Sequence, residues 1–317
     1  MTGAIPVRIG SIVQEAPLVK RFRLEPLDGR LPDFSGGAHV VVTMLDGARG
    51  RRNAYSLVNP PGDPDRYEIA VRRVADGRGG SIFLHDRVRV GDILTVTPPA
   101  NLFPLDWRAR RHLLIAGGIG ITPFVAMTAQ LAALGAAFEL HYAMRSPLAG
   151  AFADRLQQLH GDAVHLYAGS HGERLPIARL IADQLLGTHL YVCGPARLID
   201  EVRATAHAAG WPDAHVHAER FDSARPGAPF TARLARSGRR IAIETDESLL
   251  EALEREGVAI DSLCRGGACG RCVTSVAACD GTIEHADHYL SAADKASGRL
   301  ILPCVSRVRG DGLVLDL

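Results

Sequence analysis

Hydrophobic and polar positions follow a short strand-like pattern in the first part of the chain. Up to about residue 108, apolar runs such as Val40–Met44, Tyr67–Val71 and Ile93–Val96 are separated by Gly, Pro and Asp. Short strands between turn residues are typical of an antiparallel sheet that closes into a small barrel. The pattern therefore predicts a β-barrel domain over residues 1–108.

The middle of the chain alternates between buried strands and helices. The elements predicted between residues 109 and 224 are, in order, Leu113–Ala116, Phe124–Leu134, Phe138–Ala143, Ala151–Leu159, Val164–Tyr167, Ile177–Leu186, Leu190–Cys193 and Ala196–Ala209. Gly210 then occupies the position at which glycine commonly ends a helix. This alternation predicts an α/β domain with a parallel sheet covered by helices on both faces.

The last part of the chain follows a stretch rich in Pro and Gly, Asp222–Pro229, which is typical of a linker. Strands are predicted at Phe230–Ala235 and Ile241–Ile243. An amphipathic helix around Leu249–Leu253 comes next, with Asp246 as its predicted N-cap. A β-grasp domain over residues 230–317 fits this order.

Composition narrows the class of protein. The chain has 317 residues, 47% of them hydrophobic, which allows two or three domains with their own cores. A net charge of +1 gives no electrostatic argument for binding nucleic acid or an anionic membrane. Because the sequence also lacks a long apolar run and a secretory signal pattern, we expect a cytoplasmic protein without a membrane partner.

Four of the six cysteines form the most specific pattern in the chain. Cys264-x4-Cys269-x2-Cys272, followed much later by Cys304, is the spacing of a plant-type [2Fe–2S] ligand set. Thiolates are the soft ligands that iron–sulfur clusters require, and glycines between them allow a loop to wrap the cluster. A structural zinc site is the alternative, although zinc sites usually have two separated cysteine pairs. A disulfide framework is the less favoured third interpretation.

Two glycine-containing turns fall at predicted strand ends. Gly117–Pro123 lies between the first strand and the first helix of the alternating segment, where a diphosphate can approach the backbone and the helix N-terminus. A tight turn without a ligand is the alternative. Cys193-Gly194-Pro195 ends a later strand and would form a second wall of the same cleft.

Two further segments are candidates for binding a flavin. The run Arg52–Leu57 contains an aromatic ring, a hydroxyl and an arginine after a β-run. The turn Arg78-Gly79-Gly80-Ser81 precedes a predicted short helix at Ile82–His85 and can present successive N–H groups to a phosphate. A strand with a buried tyrosine and a plain turn are the respective alternatives. Of the thirteen histidines, His285 and His288 have a spacing that a metal site could use, but no third ligand is near them in sequence, so we expect most histidines at surface or packing positions.

Taken together, these motifs resemble the phthalate dioxygenase reductase family, over essentially the whole chain. The resemblance implies a flavin barrel, a nicotinamide domain and a plant-type ferredoxin, with FMN, NADH and a [2Fe–2S] cluster as cofactors. It implies that the electron-transfer centre lies near Tyr55, Ser56, Cys193 and Phe221, and that the cluster ligands are Cys264, Cys269, Cys272 and Cys304. The residues that it implies for FMN and the nucleotide are Arg52, Ala54, Tyr55, Ser56, Val71, Gly79, Gly80, Ser81, Gly118, Gly120, Thr122, Arg145, Cys193, Gly194 and Phe221.

One departure from the family pattern concerns the flavin. The family has Arg-x-Tyr-Ser, whereas here Asn53 holds the arginine position and Arg52 lies one residue earlier. Because side chains alternate along a strand, Arg52 is expected on the other face unless the backbone bulges. At the nucleotide, Arg145 follows the second strand in place of an acidic residue, and an arginine there can accept the 2′-phosphate of NADPH. The family favours NADH, and so does our prediction.

The predicted function follows from the order of cofactors. A flavin accepts a hydride and releases single electrons, which a [2Fe–2S] cluster takes one at a time. We therefore predict an oxidoreductase that passes electrons from NADH through FMN and the cluster to a Rieske-type terminal oxygenase, and we expect a monomer. The alternatives are a reductase for a cytochrome P450 or another acceptor, and a redox-sensing electron carrier without nicotinamide turnover.

Overall fold

The computed structural model describes residues 3–46, 49–221 and 224–317, so Asp222 and Ser223 of the predicted linker lie outside the described residues. The chain forms two compact units. The first contains residues 1–40, 55–73 and 89–221, and the second contains residues 41–54, 74–88 and 222–317. Two segments that the sequence assigns to the barrel domain thus pack with the ferredoxin segment. The three-domain boundaries stay a prediction.

The N-terminal part of the chain consists mostly of antiparallel strands. Its elements are β1 (Ile5–Ala16), β2 (Val19–Pro26), β3 (Ala38–Asp46), β4 (Arg49–Ser56), β5 (Tyr67–Arg72), α1 (Gly80–Asp86), β6 (Ile93–Val96) and β7 (Ala100–Asn101). Within the first unit the strand order is β6-β1-β2-β5. Val7 and Ile9 of β1 are fully buried and pair with Leu94 and Pro26, and with Leu24, respectively. Buried residues recur at every second position in this part of β1, so one face of these strands packs into the core.

The nucleotide-type part of the first unit is a five-stranded parallel sheet. Its elements are β8 (Arg111–Gly117), α2 (Thr122–Ala133), β9 (Phe138–Met144), α3 (Ala153–His160), β10 (Val164–Ala168), α4 (Ile177–Ala182), β11 (Thr188–Cys193), α5 (Ala196–Ala208) and β12 (Val216–Glu219). The order β10-β9-β8-β11-β12 places β8 in the centre. β9 and β10 are added on one side of β8, and β11 and β12 are added on its other side. A ligand crevice is expected where the order reverses, at the carboxyl ends of β8 and β11.

The fourth helix is shorter than the sequence predicts. It ends at Ala182 rather than Leu186, because Leu185 and Leu186 are 72% and 95% exposed and have no core to face. The helix that precedes Gly210 ends as predicted, since Gly210 has a positive φ of 78°.

The second unit contains the C-terminal sheet. Its elements are β13 (Phe230–Leu234), β14 (Arg240–Ile243), α6 (Leu249–Arg255), β15 (Thr274–Glu284), α7 (Ala292–Ser297), β16 (Leu300–Ile301) and β17 (Arg307–Leu315), in the sheet order β14-β13-β17-β15-β16. Leu249, Ala252 and Leu253 of α6 pack into its core. The predicted cap of this helix is wrong. Ser248 is the N-cap and forms a capping box with Glu251, whereas the carboxylate of Asp246 accepts a hydrogen bond from Arg51.

Within the described residues, none of the helices combines the length and the apolar character that crossing a bilayer requires.

Candidate redox and cofactor sites

The four predicted cluster ligands come together in the second unit as two pairs. The Sγ atoms of Cys272 and Cys304 lie 3.3 Å apart, although the residues are 32 positions apart in sequence. The thiols of Cys264 and Cys269 hydrogen-bond each other. This arrangement fits a binuclear cluster in which each iron takes one pair of sulfurs.

The spread of the sulfurs argues against zinc. A single tetrahedral ion needs all four sulfurs around one point. Among the described residues, the donor atoms that converge within 4.8 Å in groups of three or more belong to Glu139, His141 and His165, and the four cysteines do not form such a group. The structure therefore favours the cluster over the zinc interpretation.

Backbone N–H groups support anionic sulfur in the loop. The N–H of Gly266 donates to Cys264 Sγ at 3.4 Å. The hydrogen bond with the Cys269 thiol and the backbone N–H groups of Gly266 and Ala268, acting against burial, lower the pKa of Cys264 to about 5. The same hydrogen bond raises the pKa of Cys269, so within this pair the thiolate, which is the form that binds iron, is favoured at Cys264.

Two glycines shape this loop. Gly267 and Gly270 have φ values of 73° and 72°, and a Cβ on Gly270 would lie 2.2 Å from the ring of Tyr289. Beneath the loop, Cys272 and Cys304 are each only 3% exposed and pack with Leu250, Leu290, Leu302 and Val305. The ligand set thus combines a tight glycine-dependent turn with an apolar floor.

The two predicted nucleotide turns meet at the carboxyl edge of the parallel sheet. Cys193 of β11 pairs with Ala116 of β8, so the glycines that follow both strands lie side by side. A Cβ on Gly120 would lie 2.3 Å from the carbonyl oxygen of Cys193, and one on Gly194 would lie 3.1 Å from Cα of Gly117. Gly118, with a φ of 56°, and Thr122 begin the helical turns that lead into α2. Because these positions are glycines, no side chain covers the backbone at this edge, and a ligand can approach its N–H groups.

Two other predicted nucleotide residues lie at the same edge. Arg145 follows β9 and is exposed, and its carbonyl accepts a hydrogen bond from the N–H of Ser170 at 2.9 Å. Cys193 is 1% exposed, and burial together with nearby Glu219 raises the pKa of its thiol well above the usual value. A neutral thiol at a buried strand end suits packing under a ligand rather than nucleophilic chemistry.

The predicted flavin residues are divided between the two units. In the first unit, Ser56 ends β4 and is buried, Tyr55 is half-buried, and Val71 is a buried residue of β5. Phe221 follows β12 and is 45% exposed, so its ring has a free surface.

The remaining flavin residues lie in the second unit around the turn that opens α1. Gly79 has a φ of 92°, and a Cβ there would lie 3.4 Å from Nε of Arg51. A Cβ on Gly80 would meet Nδ2 of Asn53 at 2.5 Å. The Ser81 hydroxyl accepts the N–H of Val74 at 3.0 Å. Arg51 and Asn53, which share a strand face with Tyr55, therefore border the predicted phosphate turn.

The side chain of Arg52 contacts α6 and not the phosphate turn, as the alternation of side chains along a strand indicates, and its role in binding FMN stays a prediction. Its guanidinium lies 3.1 Å from the carboxylate of Glu254 in α6. Arg51 instead donates to the carbonyl of Arg78 at 2.6 Å and so contacts the turn directly. Ala54 lies between Asn53 and Tyr55 in β4. Side chains alternate between the two faces of a strand, so Arg51 and Asn53 lie on one face of β4 and Arg52 on the other. This alternation is visible in the sequence and could have identified Arg51 as the arginine beside the turn.

The structure also brings together histidines that the sequence reasoning expected to be scattered. His189 Nδ1 lies 3.0 Å from His217 Nε2, and the His189 ring stacks on His215 at 4.2 Å between centroids. On β9 and β10, His141 and His165 pair in register and stack at 4.5 Å. Their spacing in sequence gives no sign of this, because parallel strands bring them together.

Comparison with known proteins covers the full chain. A profile described as "Dimethylamine monooxygenase subunit DmmA-like, N-terminal domain" matches residues 94–216, and a "2Fe-2S iron-sulfur cluster binding domain" matches residues 232–309. The heme-dependent oxidative N-demethylase beta subunit of Ectopseudomonas mendocina (strain ymp) is 46% identical over 317 residues, with all of both chains covered. The carnitine monooxygenase reductase subunit of Escherichia coli (strain K12) is 44% identical, with 98% of each chain covered.

Phthalate dioxygenase reductase of Burkholderia cepacia is 39% identical, with 99% of this chain and 98% of the relative covered. A solved phthalate dioxygenase reductase structure superimposes with a TM-score of 0.90 at 38% identity, over 99% of this chain and 98% of that one. That structure is described as modular, for electron transfer from pyridine nucleotides to [2Fe–2S].

Fold and ligand set define a flavin- and iron–sulfur-dependent oxidoreductase, with an antiparallel barrel sheet, a parallel sheet and a C-terminal ferredoxin domain as predicted. The chain belongs to the phthalate dioxygenase reductase family. Its cofactors are FMN, NADH and a [2Fe–2S] cluster, and it serves an oxygenase as a reductase component. The flavin supplies the conversion of a hydride into single electrons, and the protein binds and orients the cofactors.

Proposed function

We propose that the oxygenase served by this chain oxidises a methylated amine. The observation that carries this proposal is the order of identities: the N-demethylase and carnitine monooxygenase relatives are 46% and 44% identical, against 39% for phthalate dioxygenase reductase. The match to a dimethylamine monooxygenase subunit profile over residues 94–216 supports the same substrate class.

Two terminal iron centres are candidates. The family resemblance favours a Rieske-type oxygenase, which is our first proposal for the partner. The 46% identical relative is named for a heme-dependent enzyme, and this full-length similarity favours a heme centre as the second candidate. Both accept single electrons, so the same cluster domain serves either.

Roles for individual residues follow from their placement. We assign the nicotinamide nucleotide to the edge formed by Gly118, Gly120, Thr122 and Gly194, with exposed Arg145 beside the second strand end. For FMN we propose contacts from Tyr55 and Ser56, with the phosphate at Gly79–Ser81. Because Arg51 contacts this turn, we propose Arg51 rather than Arg52 as the phosphate-side arginine.

The proposal also covers the cellular compartment and the oligomeric state. In the described structure none of the six cysteines forms a disulfide, which suits a reducing cytoplasm. We propose a monomer that contacts its oxygenase transiently, since electron-transfer complexes are usually small and short-lived.

Reconstitution tests the substrate class. The purified reductase, with FMN and cluster loaded, is combined with the oxygenase component of carnitine monooxygenase, with that of the heme-dependent N-demethylase, or with phthalate dioxygenase. We expect substrate-dependent NADH oxidation and product formation with at least one amine-oxidising component, and little with phthalate. A Cys272→Ser reductase, which cannot complete the cluster, is the matched control. Preferential turnover of phthalate would contradict the proposal, and the component that is reduced identifies the iron centre.

A further inference from the structure

Three arginines from β4 and the α1 turn face three acids at helix α6, all inside the second unit. The pairs are Arg51–Asp246, Arg52–Glu254 and Arg78–Glu251. Two of them include an exposed partner, since the side chains of Asp246 and Arg52 are 37% and 42% exposed. Pairs of that kind contribute little because water screens them.

The third pair is different because both partners are buried. The side chains of Arg78 and Glu251 are 9% and 5% exposed. Glu251 accepts further hydrogen bonds from the N–H and the hydroxyl of Ser248, at 3.0 and 2.9 Å, and from the N–H of Arg52 at 3.2 Å. A buried carboxylate that is fully hydrogen-bonded fixes the geometry of every group around it, and loss of its charge leaves the arginine unpaired in a dry site.

Arg78 connects this carboxylate to two other segments. It directly precedes Gly79, where we place the FMN phosphate, and its Nε donates to the carbonyl of Ala224 at 3.1 Å. Ala224 lies in the segment that leads into the ferredoxin domain. One guanidinium therefore holds the phosphate turn, the linker and α6 together.

The same helix contacts the cluster ligands on another side. Leu250, the neighbour of Glu251, is fully buried and packs with Cys272 and Cys304. Its N–H donates to the carbonyl of Pro303 at 2.9 Å, next to Cys304. A continuous path of packed and hydrogen-bonded groups thus leads from the phosphate turn through Glu251 and Leu250 to the iron ligands.

We infer that Glu251 is a positioning residue for electron transfer from the flavin to the cluster, and that it plays no part in hydride uptake from NADH. By clamping Arg78 it sets the place of the cluster ligands relative to the phosphate turn. Because the rate of electron transfer falls exponentially with the distance between the two centres, a loosened clamp is expected to slow the internal electron step.

Anaerobic stopped-flow mixing with NADH tests this inference on the full-length protein loaded with FMN and cluster. Flavin bleaching and cluster reduction are followed at separate wavelengths. In Glu251→Gln we expect cluster reduction to slow several-fold, while flavin bleaching and ferricyanide reduction keep the wild-type rate. Glu251→Asp keeps the charge on a shorter side chain, so its rate of cluster reduction is expected to lie between those of the wild type and Glu251→Gln. This variant replaces Glu251→Gln in the test if the glutamine variant does not fold.

A matched control lies on the same helix. Glu256 at the end of α6 pairs with Arg239 and Arg255, both outside β4 and the α1 turn, so Glu256→Gln should leave both rates unchanged. In the wild type, the internal rate should be nearly constant from about 0.1 to 1 M salt, because a buried pair is weakly screened.

Either of two results would overturn the inference. One is a Glu251→Gln variant whose cluster is reduced as fast as in the wild type. The other is equal slowing of flavin bleaching and cluster reduction, which indicates a general structural role. No oxygenase is present in this experiment, so its outcome is independent of the proposed amine substrate.

Discussion

In the cluster loop, Gly267 and Gly270 have positive φ values, whereas Gly120 at the nucleotide edge has an ordinary backbone and lies against the carbonyl group of Cys193. The first two glycines supply a conformation that other residues adopt with strain. Gly120 supplies space between two neighbouring strand ends. The same residue type is required for a local reason in one region and for a tertiary reason in the other.

This difference predicts how each region fails. A local constraint is carried by one short segment, so damage to the cluster loop should leave the parallel sheet intact. Gly120 packs closely against the end of a neighbouring strand, so a larger residue there should destabilise the parallel sheet as a whole.

Removal of a buried ligand should produce the largest effect. Cys304→Ser replaces a thiolate of the buried Cys272–Cys304 pair by a poor iron ligand. We expect loss of the cluster, seen in iron and sulfide content and in the visible spectrum, while flavin bleaching by NADH persists. Cys279→Ser, at a half-buried cysteine of β15, is the control and should retain the cluster. A Cys304→Ser protein with a fully reducible cluster would refute the ligand assignment.

Gly120→Ala tests the tertiary constraint. Its Cβ would clash with backbone rather than with a movable side chain, and such overpacking costs about 1–3 kcal/mol of unfolding free energy. We expect a lower melting temperature and a higher KM for NADH. Gly169→Ala in the same unit, where a Cβ would meet nothing nearer than 3.7 Å, should change neither quantity. Equal melting temperatures for the two variants would contradict the close approach.

Alanine substitutions in the cluster loop test the local constraint. Both Gly267→Ala and Gly270→Ala incur about 1 kcal/mol of backbone strain at positive φ. A Cβ on Gly267 would lie 3.0 Å from Cα of Asp287, which is backbone. The atoms nearest to a Cβ on Gly270 belong to the ring of Tyr289, which is 54% exposed and can move. The rate of cluster bleaching on warming should therefore rise more in Gly267→Ala. The opposite order would show that the Tyr289 ring is fixed in place.

The smallest effect is expected from pH. Burial, together with neighbouring His189, lowers the pKa of His217 from 6.5 to about 4. The unfolded chain thus binds a proton that the folded chain excludes, so stability is full above pH 6.5 and declines as the pH falls towards 4. His217→Gln should weaken this decline in melting temperature without changing cluster content. An unaltered pH profile would indicate that the other buried histidines account for it.

The sequence alone determined the class of the protein, because its strongest signals are local. Cys264, Cys269 and Cys272 lie within nine positions, and the hydrophobic period inside each strand or helix repeats over a few residues. Chemistry held within one loop, or periodicity held within one element, is visible before folding.

Tertiary structure decided what depends on distance through space. It paired Cys272 with Cys304, brought Arg51 rather than Arg52 to the phosphate turn, made Ser248 rather than Asp246 the cap of α6, and stacked histidines from neighbouring strands. Glu251 acquired its role in the same way, since its partner Arg78 lies 173 positions away. Contacts of this kind are set by strand order and burial, which a linear pattern of residues does not encode.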